Sequence, residues 1–229
     1  MRRLPSLIAA ILLAAAPAGA AKPPTSWDGL TLVKSKRLEH VYLLPGADFR
    51  GYTKVMLDPA EVAFRKDWQR DMNSGTRGLS GDVSDRHARE MLDEAQKRFD
   101  RIFAKAFQKA GYEIVAEPAE DVLRVSLGLL NLDVRAPDTM SSARSHTFTR
   151  EAGHATLVVQ VKDSLSGQLL GRAVDAQWAG DSGPLMRNQV TNIADFEQLF
   201  AQWAKRSTQG LDELKALSPI DAGGALRRR

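Results

Sequence analysis

An α+β domain is the fold class this sequence predicts: a mixed, mostly antiparallel sheet of about five strands, with two amphipathic helices packed on one face. Three observations predict it. Residues 152–180 read as a β-hairpin, residues 121–134 as a central strand, and two later stretches each carry a single apolar stripe at helical spacing. Strands that alternate need one covered face, and helices with one stripe need a sheet to cover, so the two requirements satisfy each other.

The chain has 229 residues, enough for one domain with a sizeable core. Its start reads as an export signal. Arg2 and Arg3 form a positive n-region, Leu7 to Ala16 is apolar, and Ala18-Gly19-Ala20 offers a small-x-small cleavage site. An apolar run of ten residues rises about 15 Å as a helix, against roughly 30 Å of hydrocarbon, so a cleaved leader is expected rather than an anchor. Removing it takes two of the 32 basic residues and leaves 30 against 28 acidic ones. That near balance argues against nucleic acid as a partner. Cysteine is absent, which excludes disulfides, thiolate metal sites, thiol catalysis and a lipid anchor on Cys.

The expected organisation is a signal peptide over 1–21, an N-terminal extended segment over 22–50, a single α+β domain over 51–217 and a flexible basic tail over 218–229. Val41 to Leu44 is a short apolar run that stops at Pro45-Gly46. Tyr52 to Phe64 reads as a strand that bends or lies at an edge, because Pro59 cannot donate to a ladder. Arg65 to Asp82, polar and glycine-containing, reads as a long loop.

A helix is expected to start at Ser84 or Asp85, either of which can cap it. Ala88, Leu92, Ala95, Phe99, Phe103 and Ala110 form its stripe, and Gly111 suits the left-handed position after it. In the central strand Leu123, Val125, Leu127 and Leu129 alternate with Arg124, Ser126 and Gly128. The hairpin's first arm alternates Leu157, Val159 and Val161 with Thr156, Gln160 and Lys162. Asp163 to Gly167 supply turn chemistry. The returning arm reads as Leu170, Val174, Ala176 and Trp178 on the apolar face, with Gly171, Ala173, Asp175 and Gln177 on the polar one. The last helix is expected from about Ile193 to Leu217, capped by Asn192, with Phe196, Phe200, Trp203, Leu211 and Leu214 inward.

Several segments in order carry a family resemblance. They are Trp27-Asp28-Gly29-Leu30, Pro45-Gly46-Ala47-Asp48-Phe49 with Tyr52, Lys54 to Pro59, Phe64 with Trp68, Asp121 to Val125 and Asp163 to Gly167. Together they resemble an uncharacterised bacterial exported protein/lipoprotein family, the domain of unknown function numbered 3313. The resemblance implies an exported or lipid-anchored envelope protein, and brings no catalytic residues and no assigned activity. Many members carry a cysteine at the cleavage site. This chain has Ala20-Ala21 there instead, so a periplasmic form without a lipid anchor is expected.

No residue pattern points to catalysis. His40, His87, His146 and His154 lack the close spacing of a zinc motif, and no serine sits in a nucleophile elbow. Gly75, Gly78 and Gly81 are not followed by the Lys-Ser or Lys-Thr of a phosphate loop. No cofactor or metal is expected. The candidate partner-binding residues are Arg65, Trp68 and Arg70 in one loop, with Arg144, His146 and Arg150 in a second. Trp and Arg dominate binding hot spots, so this cluster suits an envelope protein or an anionic cell-envelope component. The function expected is therefore a non-catalytic binding or scaffolding module of the envelope. The alternative is a periplasmic hydrolase whose site gathers His146 or His154 with an acid and a serine from distant positions.

Overall fold

The computed structural model describes residues 22–75, 82–134, 147–149, 152–180, 185–187 and 189–221. The expected signal peptide lies outside them. The elements in chain order are β1 (Ser26–Trp27), β2 (Leu30–Val33), β3 (His40–Leu43), β4 (Lys54–Leu57), β5 (Glu61–Phe64), α1 (Trp68–Gly75), α2 (Asp85–Lys109), β6 (Glu113–Ile114), β7 (Val122–Val134), β8 (Thr147–Thr149), β9 (Gly153–Asp163), β10 (Leu169–Ala179), β11 (Leu185–Arg187) and α3 (Gln189–Leu217). The class is α+β, as expected, but the sheet has nine strands rather than about five, and there are three described helices rather than two. The strands run β1-β2-β3-β10-β9-β7-β4-β6, and β8 pairs with β11 in a separate ribbon.

The sheet is mixed because β4, β5 and β6 run parallel to their partners. β4 pairs parallel with the first half of β7, and β5 pairs parallel with its second half. Pro59 falls between them and breaks one extended stretch into two. From β7 through β9, β10, β3, β2 and β1 every pairing is antiparallel. The N-terminal segment thus supplies sheet edge. Its Asp28-Gly29 link has φ of 52° and 79°, the positive pair that a two-residue hairpin turn requires. That corner folds over the outer face of the sheet, where Asp28 receives a 2.9 Å hydrogen bond from buried Arg172 and the Trp27 ring lies 4.0 Å from the same guanidinium.

The core lies between the sheet and α2 and α3. Phe99, Phe103 and Phe107 of α2 and Phe200 and Trp203 of α3 are buried against Val125, Leu127, Leu129 and Leu157. Each such side chain contributes about 1.5–3 kcal/mol through burial. Ser84 caps α2 by accepting from the His87 N–H at 3.2 Å, and Gly111 follows with φ of 89°.

Four expectations need correction. The stretch from Arg65 to Asp82 is not all loop, since α1 occupies Trp68–Gly75. Asn192 does not cap α3, which begins earlier, at Gln189. The start of the presumed tail is held in place: Ile220 is buried and exchanges backbone hydrogen bonds with the Gly46-Ala47 turn. The returning hairpin arm has the opposite phase. Leu169 faces Lys162 and Gly171 faces Val161, so Leu170 is an extra residue, a bulge. After it Ala173, Asp175 and Gln177 stand opposite Val159, Leu157 and Ala155 on the helix-covered face, while Val174, Ala176 and Trp178 point outward. Trp178 is accordingly 53% exposed.

Packing also sets how the chain titrates. It holds three tyrosines, and all have raised pKa values. Burial pushes up Tyr42, with Arg172 opposing. Burial and the hydrogen bond to Asp163 push Tyr52 up to about 12. Burial and Asp212 raise Tyr112. A phenol held protonated in the folded state stabilises it below the unfolded pKa of about 10, and that contribution is lost as pH rises through the folded value. Phenolate absorbance is expected to show no tyrosine half-ionised at about pH 10 while the protein stays folded. A phenol titrating there in the native protein would contradict this packing.

Candidate functional site

Of the sequence-predicted cluster, the described residues include Arg65, Trp68 and Arg70. Arg65 and Trp68 flank the start of α1. The Trp68 side chain turns inward, 1% exposed, stacked on Phe64 at 3.8 Å and donating its indole N–H to the Val134 carbonyl at 3.1 Å. Arg65 lies 2.7 Å from Asp71 and 3.0 Å from Asp133. Arg70 lies 3.2 Å from Asp67 and 3.4 Å from Asp71. Both guanidinium groups are therefore balanced within the chain. Arg144, His146 and Arg150 lie outside the described residues. His154 stands opposite Asp133 across the β7–β9 pairing and packs edge-on against Trp178 at 5.0 Å. Burial pushes its imidazole pKa down, with Asp133 opposing. Among the described residues no hydrogen bond joins it to a serine.

The described residues also form a groove of about 400 Å³ between the N-terminal halves of α2 and α3. Ligand pockets commonly span roughly 300–1,000 Å³. From α2 it takes His87, Glu90, Met91, Glu94, Ala95 and Arg98, a set at three- and four-residue steps that shares one helix face. From α3 it takes Ile193, Phe196, Glu197 and Phe200, and Leu132 and Val134 of β7 complete the lining. These two β7 residues face the helices because of a second bulge. Leu130 faces Thr156 and Asp133 faces His154, so the strand gains a residue around Asn131, whose φ is 51°. Ala95 leaves open the volume that Phe99, one turn on, fills. There Phe99 meets Phe200 edge-on at 5.1 Å and the helices touch.

The groove's interior is apolar and its rim is charged. Arg98 spans it, bonded to Glu197 at 2.8 Å and 3.9 Å from Glu94. Arg101 reaches Glu197 at 3.2 Å, and Lys97 reaches Glu94 at 3.1 Å. Neighbouring cations hold the Glu94 carboxyl below its usual range, Lys97 foremost. Glu90 lies 3.8 Å from Arg86 and 3.9 Å from His87. Every rim carboxylate thus has a cationic neighbour.

The apolar stripes of both helices were legible in the sequence, and Ala95, Phe196 and Phe200 lie on them. Read as periodicity, these residues are core. The separation of the helices above Phe99 has no periodic signature.

A family described as "Protein of unknown function (DUF3313)" matches residues 19–207. No curated protein matches the sequence. Among solved structures, the PelC dodecamer from Paraburkholderia phytofirmans aligns over 72% of this chain and 96% of its own, at 10% identity and a TM-score of 0.38. A neuraminyllactose-binding hemagglutinin homolog from Helicobacter pylori aligns over 76% and 95%, at 11% identity and 0.34. A minor lipoprotein from Acinetobacter baumannii aligns over 72% and 94%, at 9% identity and 0.27.

Proposed function

This chain belongs to the protein family of unknown function DUF3313, and we propose that it acts outside the bacterial cytoplasm as a non-catalytic binding module of the cell envelope, with the α2–α3 groove as its ligand site. The groove carries this reading. It is apolar inside, ringed by paired charges, and bounded by two helices and a sheet strand that fix its shape. Apolar surface that the fold leaves uncovered in a concave site is the usual mark of a ligand pocket. The leader read at residues 2–20 supports the placement outside the cytoplasm. Among the described residues no helix is long and apolar enough to cross a membrane.

Filling the groove tests the reading. Ala95→Trp places an indole in the open volume without touching the Phe99–Phe200 contact. Titration with an environment-sensitive apolar dye is expected to saturate with wild-type protein and to lose at least ten-fold in affinity with the variant, while far-ultraviolet circular dichroism stays unchanged. If Ala95→Trp is folded and binds dye as the wild type does, the groove is not the site.

A further inference from the structure

We infer that the ligand of the α2–α3 groove is a neutral single-chain amphiphile whose head carries a hydroxyl, and that His87 receives that head. The inference rests on the groove being the ligand site and adds the ligand's chemical class. His87 lines the groove in the first turn of α2. Its Nε2 is shielded from solvent and makes no hydrogen bond among the described residues. Its Nδ1 is 3.9 Å from Glu90, too far for a hydrogen bond. A buried polar atom without a partner costs about 1–3 kcal/mol, so a ligand atom that supplies one gains affinity there. Asn192 also lines the groove, and the other interior residues, Met91, Ala95, Leu132, Ile193 and Phe196, offer only apolar contact. The ligand is therefore a mostly apolar chain with a polar end.

The charge around the groove selects the head. Glu90, Glu94 and Glu197 line it against a single lining guanidinium, Arg98. Arg86, Lys97, Arg98 and Arg101 neighbour those carboxylates, so among the described residues the paired rim offers neither an anionic nor a cationic head an unengaged counter-charge. Burying any charged head also carries a desolvation cost that a neutral one avoids. A hydroxyl both donates and accepts, so it satisfies Nε2 in either tautomer of the imidazole.

The test uses the mature chain with three probes: 1-decanol, decanoate and decyltrimethylammonium, each displacing the apolar dye at fixed pH. 1-Decanol is expected to bind at least ten-fold more tightly than either charged probe. His87→Phe keeps the ring's shape and removes the polar atom. It is expected to weaken 1-decanol by roughly three- to ten-fold, the worth of one neutral hydrogen bond, beyond any change it makes to the affinity of the dye alone. His87→Gln, which restores a hydrogen-bonding group, is expected to recover part of the loss. Equal or tighter binding of a charged probe, or 1-decanol affinity unmoved in His87→Phe, overturns the head assignment while dye binding to the groove stands. Dye binding unchanged by Ala95→Trp overturns the groove itself and the ligand class with it.

Discussion

Replacing Gly153 by alanine is expected to destabilise the protein by about 3 kcal/mol, at the upper end of what forced overpacking costs. A Cβ there would stand 1.9 Å from the Asp133 carbonyl oxygen, 3.0 Å from its carbon and 2.9 Å from Cζ of Phe196. Two of these contacts are with backbone, which has no rotamer to escape through. The strand cannot give way either, because Val134 pairs with Gly153 and Asp133 with His154 in the ladder beside it. For a chain of this size, 3 kcal/mol corresponds to a melting point lower by roughly 6–12 °C. Because Phe196 also lines the groove, dye affinity should fall along with stability. A variant melting within about 2 °C of wild type, less than 1 kcal/mol on that scale, would show that β7 and β9 do not approach this closely.

Asp175→Ala is expected to cost a similar amount for a different reason. Asp175 is 2% exposed on the helix-covered face of β10. Its carboxylate accepts 2.7 Å and 2.8 Å hydrogen bonds from the Trp203 indole N–H and the Glu39 backbone N–H. Arg206 approaches to 3.8 Å. The residue thus ties α3, β10 and the approach to β3 together at one point. Alanine leaves two donors without an acceptor, at about 1–3 kcal/mol each when buried. Asp175→Asn keeps one carbonyl oxygen for Trp203 and should lose less than half as much. Urea unfolding of both variants checks the order. If asparagine is as damaging as alanine, the charge rather than the hydrogen bonds is what the site needs.

Asp175 also shows where the sequence stops being readable. A strand's alternation can be followed only until a residue is inserted, and Leu170 is inserted. Before the bulge the assignment of faces is sound; after it every side chain is read onto the wrong side. Asp175 and Gln177 then look like surface residues, and Trp178 looks like core. Long regular stretches such as α2 and β9 were legible because many residues repeat the same signal. The α1 helix was not, since Trp68 is its one fully buried side chain and two glycines in the following residues favour a loop. Among the candidate residues, Arg65 and Arg70 were legible as cations. The i,i+3 step from Asp67 to Arg70 goes unread when this stretch is taken as a loop, and no spacing rule connects Arg65 to Asp133. The groove was illegible for a related reason. It is a distance between two helices, and each helix alone reads as an ordinary core element.

The placement of β3 carries a consequence for the order of events in folding. Val41 pairs with Ala173, more than half the chain away, and Phe49 and Gly46 are fastened to Ser218 and Ile220 near the other end. During synthesis β1, β2 and β3 have only one another to pair with, and β3 must wait for β10 to be made. Closing such long loops before any contact rewards them makes a slow search, so refolding belongs with sheet proteins in the millisecond-to-second range rather than with helical bundles. While β10 is missing, the β3 strand has unpaired backbone groups on the side away from β2. For as long as that lasts, this part of the chain is the one most open to capture by a chaperone or by another unfinished copy.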